Sequence, residues 1–127
     1  MPDVLVVEDD FALGEFVRRA LERDGIPFRL AQDGGEALSL AAEQWPAVVL
    51  LDLTLPGTLD GWQVWDALLN RADGQSMRVI LFAAELDSHD RQQAQQRAAW
   101  AVLRKPVSRV QLVDRVRRAL AESAIHG

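Results

Sequence analysis

The stretch "VVLLDLTLPG", residues 48–57, decides how the chain is read. Four apolar residues lead without alternation into Asp52, and a Pro-Gly turn follows. An unbroken apolar run of this length predicts a strand over 47–52 buried on both faces, as at the centre of a parallel sheet. A carboxylate at the end of such a strand is costly to bury unless something pairs with it. Asp52 therefore raises the question of what else the chain supplies to serve it.

Outward from that strand, short apolar runs alternate with longer amphipathic ones. "VLVVE" (4–8), "FRL" (28–30), "RVILFA" (78–83) and "AVLRKP" (101–106) read as four more strands. Between the first two, Leu13, Phe16, Val17, Ala20 and Leu21 fall on one helical face, with Asp10 as N-cap and Gly25 as the stop. Asp33 and Glu36 stand at capping-box spacing before a second helix, and Ser108 and Gln111 before a last one over 108–122. A third helix over 61–71 places Val64, Trp65, Leu68 and Leu69 inward. The fourth, 87–97, is almost wholly polar, with Ala94 and Ala98 as its main apolar contacts, and is expected to pack poorly. Five strands alternating with five helices predict an α/β fold, a doubly wound five-stranded parallel sheet.

The length of 127 residues suits one domain, expected here to span 1–127 with no output domain. With no cysteine, no apolar run of membrane-spanning length and no signal-peptide pattern, the expected setting is cytoplasmic, with no membrane contact. A net charge of −5 argues against direct nucleic-acid binding. Of the 14 basic residues, Lys105 is the one lysine.

Ligands of open α/β sheets bind at the carboxyl ends of the strands. There the first strand brings Glu8 and Asp9, the third Asp52, and the fifth Lys105. Three carboxylates together raise one another's pKa unless cations neutralise them. Lys105 supplies one positive charge, and an all-oxygen cluster without His or Cys selects Mg²⁺ or Mn²⁺ for the rest. Asp10 is read as a helix cap.

"VLVVEDD", "VVLLDLTLPG" and "LRKP" together resemble the receiver domains of bacterial two-component response regulators, with their acidic pair, phospho-acceptor loop and Lys-Pro signature. The resemblance covers essentially the whole chain and implies a flavodoxin-like receiver fold. It implies that Asp52 accepts a phosphoryl group from a sensor histidine kinase or phosphotransfer protein. Asp9 would bind Mg²⁺ directly, Glu8 through water, and the Thr54 backbone carbonyl would be a further ligand. Lys105 would pair first with the acceptor and then with a phosphoryl oxygen. Such a domain catalyses at most its own phosphorylation and dephosphorylation, and is not otherwise an enzyme. Pro106 either fixes the backbone after Lys105 or opens the last helix.

The pattern is broken in three places. Ala83 stands where receivers of this kind carry a Thr or Ser, and Val102 where they carry an aromatic residue. The loop "LPGTLDGW" is one residue longer than the common form. Of the tryptophans, Trp65 reads as core and Trp45 as packing at a helix end; Trp62 is less easily buried, and Trp100 is open between core and interface anchor. His89 and His126 lie away from the acidic cluster. Two other readings stay open: a degenerate receiver that mainly docks or dimerises, and a Mg²⁺-dependent phosphatase, although Asp52-Leu53-Thr54 lacks that class's second acid. For a homodimer, the face to inspect is that of the fourth helix, fifth strand and fifth helix.

Overall fold

The computed structural model describes residues 3–55, 57, 59–71 and 76–126. Five strands form one parallel sheet: β1 (Val4–Val7), β2 (Phe28–Ala31), β3 (Val48–Asp52), β4 (Arg78–Ala83) and β5 (Ala101–Arg104). They lie in the order β2-β1-β3-β4-β5. Five helices alternate with them: α1 (Phe11–Arg23), α2 (Gly34–Glu43), α3 (Gly61–Arg71), α4 (Ser88–Gln96) and α5 (Arg109–His126). The chain leaves β1 toward one edge and returns to its other side as β3, so the topological switch point falls between these two strands. Val7 pairs with Leu51 and Asp52 with Phe82, which puts the residues after β1 beside the end of β3.

β1 and β3 are buried along their whole length because helices cover both faces. On one face Val4, Val6, Leu50 and Ile80 meet Val17 and Leu21 of α1 and Leu112 and Val116 of α5. On the other, Leu5, Val7, Val49, Leu51 and Leu81 meet Ala37 and Ala41 of α2 and Val64, Trp65 and Leu68 of α3. Asp10 caps α1 by accepting from the Leu13 N–H at 2.9 Å. The helix closes in a Schellman turn, with Gly25 N–H on Glu22 O, Ile26 N–H on Leu21 O, and Gly25 at φ +67°.

Several expectations are corrected. β1 stops at Val7 and β5 at Arg104, so Glu8 and Lys105 lie just past their strands. β2 reaches Ala31, and α5 runs from Arg109, so Pro106 does not open it. Leu69 is exposed, one position past the buried stripe of α3. Ala98 is exposed as well, at φ +57° in the turn that ends α4. Asp33 and Ser108 cap their helices, but the Glu36 carboxylate reaches the Gln32 N–H instead of closing its box on Asp33. Among the described residues, complete boxes form at Asp60–Gln63 and Asp87–Asp90, neither of them expected from the sequence. Of the lengthened loop, Pro56 and Thr58 lie outside the described residues. Among the described residues, no helix is long and apolar enough to cross a membrane.

Candidate functional site

The carboxyl edge of the sheet brings the expected residues together. Glu8, Asp9 and Asp52 each offer a carboxylate oxygen within 4.8 Å of the others. Glu8 and Asp52 are buried, 5% and 4% exposed, while Asp9 faces solvent and keeps the cluster open from outside. The Glu8 N–H is fixed on Ala31 O at 3.0 Å, and the Lys105 N–H on Ala83 O at 2.8 Å. The neighbouring strands thus hold the backbone of both residues just past the strand ends.

Lys105 Nζ lies 3.3 Å from Asp52 Oδ1 and 3.6 Å from Glu8 Oε1. Its ammonium also sits 5.3 Å from the centroid of the Phe82 ring, whose face favours a cation. Asp52 Oδ1 accepts from the Thr54 N–H at 3.1 Å, which orients the carboxylate. Burial pushes the Glu8 carboxyl up to about 8, reinforced by Asp52 and opposed by Lys105. Among the described residues, Glu8 Oε1 is buried without a hydrogen-bond partner. The Lys105 ammonium, 3.6 Å away, is its ion-pair partner, and a single ammonium does not balance the carboxylates gathered here. The donor set is all oxygen and suits a hard divalent cation.

Gly61 was missed as a site residue. Its N–H donates to Leu53 O at 3.1 Å, and a Cβ there would lie 2.6 Å from Asp52 O and from Leu53 Cα. The first turn of α3 thus rests directly on the backbone that carries Asp52. The close approach of Gly61 to another segment gives no sign in the sequence.

Comparison with known proteins follows the same lines. Residues 4–117 match the family model of the response regulator receiver domain. The chain belongs to that family.

Among curated relatives, Response regulator MprA of Mycobacterium sp. (strain KMS) is 36% identical over 121 residues, 95% of this chain and 51% of the relative. Response regulator MprA of Mycolicibacterium vanbaalenii is 37% identical over 117 residues, 92% of this chain and 49% of the relative. The chain spans about half the length of these relatives. Of solved structures, the receiver domain of NtrX from Brucella abortus superposes with a TM-score of 0.84 at 28% identity, covering 94% of this chain and 98% of that one. A CheY-like receiver domain protein from Methanospirillum hungatei gives 0.90 at 23% identity, covering 100% and 99%, and speaks to the fold alone.

This receiver domain has Ala83 buried at the end of β4, with no hydroxyl to offer, and Val102 on β5 at 42% exposed. Trp65 is core, as expected. Trp45 donates to Ser76 O at 3.3 Å, ahead of β4. The Trp100 indole N–H is taken by the Glu122 carboxylate of α5, and its ring packs on the core. Trp100 is therefore engaged within the chain.

Proposed function

We propose that Asp52 is the phospho-acceptor of a receiver that works with a sensor histidine kinase or phosphotransfer protein. The observation that carries this reading is the Lys105 ammonium held between the buried Asp52 and Glu8 carboxylates at the switch point. An Asp52 oxygen forms the new P–O bond as the donor's P–N bond breaks, and the imidazole nitrogen keeps the electron pair. Lys105 starts on Asp52 and moves onto a phosphoryl oxygen as charge builds there; a compact ammonium on a flexible stem suits that exchange. The Thr54 N–H orients the nucleophile until the bond forms.

Asp9, Asp52 and the Thr54 carbonyl would hold Mg²⁺, or Mn²⁺, with Glu8 behind a water. When bound, the ion supplies charge neutralisation at the transferring oxygens. The chain's own contribution is positioning and electrostatics at one edge of the sheet, not turnover of a separate substrate. A cytoplasmic setting fits such a partner.

Ala83 and Val102 lack the hydroxyl and aromatic groups expected to report the phosphoryl group. The same two residues, one apolar and one exposed, favour the second reading, a module that mainly docks. Tryptophan fluorescence with Mg²⁺ and beryllofluoride, a phosphoryl mimic, separates the two. A saturable change absent from Asp52→Ala supports the acceptor; no change in either protein supports docking.

A further inference from the structure

α4 is loosely seated: among its described residues only Ala94 is buried. Among the described residues, the only side-chain hydrogen bonds tying α4 or its cap to another element run from Arg97 to Asp66 of α3. Arg97 Nε meets Asp66 Oδ1 at 2.8 Å and Nη2 meets Oδ2 at 2.9 Å, a two-pronged ion pair. The same guanidinium lies 5.0 Å from the centroid of Trp62 and 6.0 Å from that of Trp65. Those two rings stack on each other at 6.0 Å and 10°. The remaining nitrogen, Nη1, bonds back to Gln93 of α4 through its backbone and side-chain oxygens, at 3.2 and 2.7 Å. Arg97 thus fastens the end of α4 to one face of α3.

The first turn of α3, next to that face, touches the acceptor. Gly61 lies against the backbone of Asp52 and Leu53 with no room for a methyl group, and the next residue is Trp62. A shift in the backbone after Asp52 therefore meets the first turn of α3 directly, and that turn carries an aromatic face on which Arg97 rests. A fork paired with a carboxylate and stacked on a ring is orientation-specific, so Arg97 follows α3 instead of letting it slide. With little else holding it, α4 follows Arg97.

We propose that the clamp of Arg97 on Trp62, Trp65 and Asp66 carries the state of Asp52 to α4. It takes the place of the hydroxyl and aromatic groups that Ala83 and Val102 lack. The proposal rests on the reading of Asp52 as phospho-acceptor.

Amide hydrogen exchange of the full chain, in Mg²⁺ with and without beryllofluoride, tests it. In the parent protein, exchange should change by about threefold or more both just after Asp52 and over residues 88–97. In Arg97→Ala the first response should persist while the second disappears. Arg97→Lys keeps the charge but not the fork and should behave likewise, as should Asp66→Ala. A clamp with a merely structural role would leave α4 exchanging faster in both states with its response ratio intact, which overturns the relay. Absence of any response after Asp52 in the parent protein refutes the acceptor reading, and the relay with it.

Discussion

Gly61→Ala should be a costly methyl group. The new Cβ would sit 2.6 Å from Asp52 O, 2.6 Å from Leu53 Cα and 2.9 Å from Leu53 O, all backbone atoms that cannot swing aside. Overpacking of this kind costs about 1–3 kcal/mol. Three backbone contacts this close put the cost in the upper part of that range, about 2–3 kcal/mol; the helix preference for Ala over Gly returns at most about 1 kcal/mol, so the net loss should be about 1–2 kcal/mol. Two other glycines calibrate the argument. At Gly34 the methyl would meet Val64 Cγ2 at 2.7 Å and Leu59 Cβ at 2.9 Å; a Cβ is fixed to its backbone and the buried, β-branched Val64 is stiff, so a comparable loss is expected. At Gly35 the nearest atom is the exposed Asp33 Oδ1 at 3.4 Å, so Gly35→Ala should be neutral or stabilising by up to about 1 kcal/mol. Urea unfolding followed by tryptophan fluorescence measures all three. With m about 2 kcal/mol/M, Gly61→Ala should lower the midpoint by about 0.5–1 M at unchanged m. A Gly61→Ala midpoint equal to that of Gly35→Ala would refute the contact between the start of α3 and the Asp52 backbone.

Three further outcomes are expected. Lys105→Met should slow phosphorylation by a small-molecule donor at least about tenfold. Mg²⁺ binding, read by fluorescence titration, should be retained or tightened because an ammonium has left the acidic cluster; lost Mg²⁺ binding would contradict this. In chelator, Glu8 binds a proton in the folded state that the unfolded chain has released between pH 4.5 and about 8. Stability should therefore fall as pH rises through that window, by at most about 1.4 kcal/mol per pH unit. Glu8→Gln should lose this slope, and identical pH profiles for the two proteins would exclude it. Arg29→Ala removes the partner of the buried Asp3, held at 2.6 Å, and uncovers Gln44 O at the end of α2. A loss of about 2–4 kcal/mol is expected in urea unfolding, partly recovered in the Asp3→Ala, Arg29→Ala double variant.

The fold was legible because its centre is unambiguous. "VVLLD", short, β-branched at its start and soon followed by Pro-Gly, reads as a strand covered on both faces, and the caps at Asp10 and Asp33 mark helix starts by chemistry that acts within three residues. The acidic site was legible for a related reason: in a parallel sheet, residues at strand ends share one edge whatever lies between them. What stayed hidden depends on contacts between elements distant in sequence. Leu69 belongs to the apolar pattern of α3 but sits one position beyond the stripe that the sheet covers. Trp62 gives no sign in the sequence that Arg97, on the far side of β4, will stack on it. Nor does Trp100 announce its bond to Glu122, which requires α5 to run back along β5. Ala98 looked like a helical contact, yet α4 has already ended, and a left-handed residue turns the chain toward β5.

The central claim is that Asp52 takes a phosphoryl group with the help of Lys105 and the acids beside it. Intact-mass spectrometry after incubation with Mg²⁺ and a small-molecule phosphodonor tests it most directly. A single phosphoryl adduct is expected, dependent on Mg²⁺, labile as an acyl phosphate, and absent from Asp52→Ala. An adduct that survives Asp52→Ala, or none in the parent protein, would contradict it.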